Sequence, residues 1–231
     1  MTVFKYALLR GIRSPMSIAV NFGLPFALIL LRNLWVGDGI ALQNGFTLMA
    51  AVLMFGSFLV ARGIMNDRQD GTVIRILAGP TTTFRYLTQN LLACMLPLAA
   101  SIVVVITTGY FLYDWRLSVA FALMLCYTMF ATACVAFSFA WSCLFKSREV
   151  GFSIFSVVAM FMAALGGLII PLSMMPDMLR YIGALFPAYW AAFGLETLLN
   201  YGAAGRYWLS LGAMALFAVA FLLYGGKRRI I

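Results

Sequence analysis

The chain has 231 residues, 64% of them apolar and only 10% charged, where a soluble domain carries about 25% charged residues. A mean hydropathy of +0.99 leaves little polar sequence for a separate water-soluble unit, so residues 1–231 read as a single all-α integral membrane domain. The net charge of +9 is scattered through short gaps between apolar runs. It is not gathered into a basic tract with interleaved aromatics, which argues against a nucleic-acid surface.

In chain order, the first feature is residues 1–13. Met1, Phe4, Leu8 and Ile12 recur at helical spacing, while Lys5, Arg10 and Arg13 point elsewhere. This pattern predicts a short helix lying in the membrane interface. A helix needs about 20 apolar residues to cross the hydrocarbon core. Six runs meet that length, over residues 17–36, 45–65, 91–113, 117–145, 150–170 and 207–226. Six spans put both termini on one side. Of the 16 Lys and Arg residues, all but Arg32, Arg116, Arg180 and Arg206 fall on that side. The excess of positive charge marks it as cytoplasmic.

Two segments are neither spans nor tight turns. The first, residues 66–80, reads Asn66-Asp67-Arg68-Gln69-Asp70-Gly71-Thr72-Val73-Ile74-Arg75-Ile76-Leu77-Ala78-Gly79-Pro80. Asp70 is placed to cap a helix start with its carboxylate. Val73, Ile76 and Leu77 share one face, and Gly79-Pro80 stops the helix. Thr82 or Thr83 then caps the next helix. The apolar face needs a cover, either a partner protein or the chain's own spans.

The second segment, residues 171–199, holds Pro171, Pro176 and Pro187, each a helix interruption. Two short helices fit between and after them, over 178–185 and 188–199, both too short to cross. Tyr181, Tyr189 and Trp190 suit a water interface. The expectation is a short re-entrant helical segment in the outer leaflet before the last span.

Other chemistry is missing. The chain contains no histidine, which removes the commonest metal ligand and general base. Cys94, Cys126, Cys134 and Cys143 lie inside apolar runs with no CxxC spacing, as small hydrophobes in helices do. No GxxxxGK[ST] loop is present, so ATP has no phosphate cradle of that kind here. Gly166-Gly167 sits in an apolar run and reads as a close-packing point between helices. No paired carboxylates occupy a mid-span position, against proton coupling.

The loop over 66–80 resembles the one between the second and third spans of ABC transporter type-2 permeases. Gly71, Thr72, Arg75, Ile76, Leu77 and Pro80 fill that family's pattern, with Asp67, Arg68 and Asp70 as the charged lead-in. Ile74 departs from it, standing where many members carry Glu. The order of Pro171, Pro176 and Pro187 also resembles the family. The resemblance implies a permease subunit without its own ATPase site. Residues 66–80 would be its coupling helix, docked on a separate ABC ATPase, and 171–199, with Tyr189 and Trp190, its outer gate. It further implies two ATPase copies that bind ATP and Mg, a second permease subunit, and outward movement of an amphipathic drug, antibiotic or antimicrobial peptide across the cell membrane. Export of a lipid or lipid-linked glycan, or a membrane scaffold without transport, remain open alternatives. Phe55, Phe58, Phe137, Phe139, Phe152, Phe155, Met160, Phe161 and Met162 are candidate path-lining residues.

Overall fold

The computed structural model describes Phe4 and residues 6–9, 15–31, 35, 40–77, 83–145, 147–200 and 204–227. Among these, all regular structure is helical. Four helices are long and apolar enough to cross a membrane: Gly45–Asp67, Thr88–Tyr113, Leu117–Ser142 and Ala204–Gly225. A fifth crossing exists if the bent pair Asp177–Gly183 and Pro187–Leu199 counts as one span. Most of the expected interfacial helix lies outside the described residues, although residues 6–9 are helical.

The chain begins with α1 (Pro15–Ile18), a π turn (Ala19–Gly23) and α2 (Leu24–Leu30), which run on without a break. Their apolar stretch, Met16–Leu30, is shorter than the expected span over 17–36. Then come α3 (Ile40–Gln69), α4 (Thr72–Leu77), α5 (Thr83–Tyr113) and α6 (Leu117–Ser142). They are followed by α7 (Arg148–Leu165), α8 (Asp177–Gly183), α9 (Pro187–Leu199) and α10 (Ala204–Lys227).

Helix α6 is apolar on every side, the pattern of a helix enclosed by others. It forms the centre of the bundle, packed against α3, α5, α7, α9 and α10. Leu123, Tyr127 and Phe130 are buried there. Small residues let neighbours approach closely: Ala133 and Ala136 pack on Ala218 of α10. The polar groups of α6 are satisfied within the bundle. Ser138 and Ser142 donate to carbonyls one turn back, and the Tyr127 hydroxyl donates 3.0 Å to the Phe46 carbonyl of α3.

The fifth expected run ends earlier than its apolar composition implies. Helix α7 stops at Leu165, because Gly167 takes a left-handed φ of +83°. The amides of Gly166 and Leu168 bond back to Met162 and Ala163, closing the helix end. Gly166 also packs tightly, since a Cβ there would lie 2.5 Å from the Ala188 Cβ. The glycine pair therefore both permits close packing and stops the helix.

Candidate functional site: the α3–α5 loop and the groove beside α3

At one end of the bundle, here termed the loop end, α4 lies between the end of α3 and the start of α5. The turn is made by Asp70 and Gly71, and Gly71 has φ +66°. Among the described residues, no atom beyond its chain neighbours lies within 4 Å of a Cβ built on Gly71. Glycine is needed there for its backbone conformation and not for space. The helix begins at Thr72, so Gly71, not Asp70, immediately precedes it. Asp70 is instead part of the reverse turn and exposed.

The sequence-selected residues of this loop fall into distinct settings. Asp67 is half-buried and accepts a 2.8 Å hydrogen bond from the hydroxyl of Tyr86 on α5. Tyr86 is only 1% exposed. This bond ties the end of α3 to the start of α5, so Asp67 braces the loop from inside. Ile76 packs against the core, whereas Arg75 is exposed on the same short helix. Thr72 is half-buried. Arg68 and Leu77 are helical, and Pro80 lies outside the described residues. Sequence reasoning overlooked Tyr86. It stands among Thr83, Arg85, Thr88 and Gln89, a mixed stretch that does not single it out, and the acid it meets is 19 residues away.

At the opposite end, the three prolines start helical segments. Pro171 precedes a 3-10 turn at Leu172–Met174, Pro176 precedes α8, and Pro187 is the first residue of α9. Proline suits these positions because the N–H it lacks has no helical partner there. Helices α8 and α9 meet at 115°. Trp190 donates 3.0 Å to the Ala184 carbonyl inside the bend, and the Tyr189 ring stacks on Phe193. Arg180 donates through Nε to the Leu172 carbonyl and pairs with Asp177 at 3.4 Å. Tyr189 and Trp190 are half-buried, while Tyr181 is 79% exposed and is the ring best placed to meet solvent or headgroups.

The nine candidate path-lining residues do not share one surface. Phe55, Phe58, Phe152 and Phe155 line a groove of about 440 Å³ between the first helix, α3 and α7. Phe58 stacks on Phe155 at 3.8 Å between ring centroids. Met16 and Leu24, both exposed, stand on its rim. Phe139 and Met162 are instead core residues, and Met160 and Phe161 face outward. Phe137 packs on Phe155, Trp141 and Phe221.

A buried amide holds the first helix beside this groove. Asn21, 2% exposed, sits in the π turn. Its Nδ2 donates to the Ser17 carbonyl and Oγ at 2.9 and 3.2 Å. Among the described residues its Oδ1 has no hydrogen-bond partner, and it rests against Gly56 of α3. Its backbone carbonyl would meet the amide of residue 25 in an α-helix, but that residue is proline. The hydroxyl of Ser101 on α5 donates to it instead. Such π turns recur at functional positions in helices.

Among the described residues no group of His, Cys, Asp and Glu could hold a metal ion. The arrangement is one of helical spans, a braced loop and an apolar lateral groove, and it defines a polytopic helical membrane protein. A family model described as "ABC-2 family transporter protein" matches residues 36–226. The chain belongs to that family. It is thus a membrane component of an ABC transporter, the transport subunit that associates with an ABC ATPase and is not itself the ATPase. No curated protein matches the chain.

Proposed function

We propose that this chain is the six-span permease subunit of an ATP-driven exporter. In this reading the first helix and α7 complete the count of crossings, and α8 and α9 form a re-entrant segment. Both termini are cytoplasmic, supported by the uneven split of Lys and Arg. Two copies, or this chain and a relative, face two ATPase subunits that bind ATP and Mg. Residues 66–80 form the coupling helix, and Pro171, Pro176, Pro187, Tyr189 and Trp190 belong to an outer gate. The cargo is an amphipathic drug, antibiotic or antimicrobial peptide, in keeping with the apolar surfaces beside α3.

The observation that carries the coupling assignment is the setting of α4. Gly71 turns it out from α3, the Asp67–Tyr86 bond fixes its base, Ile76 anchors one face and Arg75 is left exposed. A rigidly based helix with an exposed cation can transmit a push from a partner. The test is co-reconstitution with the ATPase subunit in vesicles. Arg75→Glu is expected to lower coupled ATPase activity and transport at least tenfold, because one favourable contact becomes repulsive. Normal transport by Arg75→Glu would overturn the coupling assignment.

A further inference from the structure

The groove beside α3 ends at a cation. The guanidinium carbon of Arg62 lies 5.3 Å from the centroid of the Phe152 ring, and Phe152 itself lines the groove. Arg62 is half-buried. Among the described residues, no carboxylate lies within ion-pair distance of it. A partly desolvated guanidinium with only a ring face for company is under-used. Its donors remain available to an anion, and the ring holds the fork in place.

The dimensions of the groove point the same way. Along α3 it runs from Leu48 to Leu59, a rise of roughly 16 Å. One leaflet of the hydrocarbon core is about 15 Å deep. Arg62 stands one turn beyond Leu59, toward the loop end. The other two walls start at that level: α1 begins at Pro15, beside the lining residue Met16, and α7 at Arg148, one turn before Phe152. That is where the chain enters the apolar slab and where lipid headgroups lie. The lining side chains carry no hydrogen-bonding group, so only an apolar chain is accommodated along the walls. The charge at the end selects an anion.

We propose that this groove binds an anionic phospholipid, with one acyl chain laid along Met16, Leu24, Val52 and Phe55 and the phosphate held by Arg62. The inference rests on the membrane placement that family membership gives. It is independent of the direction of transport.

The test is native mass spectrometry of the full-length chain released from detergent micelles. Phosphatidylglycerol and phosphatidylcholine with identical acyl chains are titrated separately. The unmodified protein is expected to bind phosphatidylglycerol about tenfold more tightly, the scale of one charge-assisted contact, because the choline of phosphatidylcholine already offsets the charge of its phosphate. Arg62→Gln should erase that preference, weakening phosphatidylglycerol more than phosphatidylcholine. Arg62→Lys, which keeps the charge, should retain part of it and guards against a folding defect in Arg62→Gln. Val52→Trp, which fills the groove, should weaken both lipids. Glycerol phosphate, a headgroup without chains, should not displace bound lipid; equal competition would show a phosphate site and overturn the lipid assignment. An undiminished preference in Arg62→Gln would also overturn it. So would a Val52→Trp protein that changes from dimer to monomer with its bound lipid intact, since the groove would then be an interface between copies.

Discussion

Replacing Gly56 by Ala tests the packing at the π turn. A Cβ at residue 56 would lie 2.1 Å from Asn21 Oδ1 and 3.1 Å from its Cγ. An oxygen this close must retreat by roughly 1 Å to reach an ordinary contact. The amide is not free to swing away, because Nδ2 is held by Ser17. Either those hydrogen bonds break, at about 1 kcal/mol, or α3 and the first helix separate, with the usual overpacking cost of about 1–3 kcal/mol. Gly56→Ala should thus destabilise the fold by about 1–3 kcal/mol. In thermal unfolding followed by tryptophan fluorescence in micelles, this is a drop of roughly 2–12 °C for a chain of this size. The companion variant Asn21→Ala removes both the clash partner and an oxygen that bonds to nothing. It should stay within about 1 kcal/mol of the starting protein, since the lost bonds and the lost desolvation penalty offset one another. The double variant should melt close to Asn21→Ala alone, giving a coupling of about 1–3 kcal/mol. Additive effects of the two substitutions, or a Gly56→Ala protein that melts normally, would refute the reasoning.

Three further substitutions probe the two ends of the bundle. Tyr86→Phe deletes the bond to Asp67 and should cost about 1.5–3 kcal/mol, the range for a hydrogen bond to a charged acceptor; proteolysis within 66–83 should accelerate, and unchanged cleavage would argue against a bracing role. Gly71→Ala meets no atom but forces a left-handed φ on a Cβ residue, with an expected cost of about 1–2 kcal/mol, read as faster hydrogen exchange confined to α4. Gly167→Ala combines the same backbone strain with a 2.4 Å approach to Leu172. It should destabilise by more than about 2 kcal/mol and exceed Gly71→Ala in a parallel thermal melt.

The long helices were legible because their evidence is local and redundant. The runs over 45–65, 91–113, 117–145 and 207–226 are apolar enough to outweigh a single competing signal such as Pro97, and the structure places helices over them, the third ending at Ser142. Sequence reading failed where composition and backbone geometry disagree. Residues 168–170 are as apolar as the span before them, but the left-handed Gly167 ends the helix first. Hydropathy counts residues and cannot register a φ angle. Residues 17–36 show the reverse problem: Asn21 and Pro25 look like single tolerated exceptions in an apolar run. In the fold they lie at the π turn, and the Asn21 carbonyl accepts from Ser101, 80 positions away.

The same distinction governs the candidate site. Gly71, Asp67 and Arg75 could be picked out because turn chemistry and charge are readable one residue at a time. What makes them a unit is not readable that way, since it depends on which face of α3 meets which neighbour. Along that one helix, Asp67 meets Tyr86 of α5, Arg62 lies over Phe152 of α7, and Gly56 receives Asn21 of the first helix. The intervals of six and five residues turn Arg62 to a different side of a 3.6-residue helix from the other two. Gly56 and Asp67 return to nearly the same side but three turns apart, so the first helix meets one and α5 the other. A periodicity search looks for one repeating face and discards such positions as noise. Each contact also joins a polar or small residue to a partner far away in sequence, in a helix whose middle is largely apolar. In a membrane bundle apolar side chains are the background. The informative residues are therefore the few that break it, and their meaning is fixed only by the helix they face.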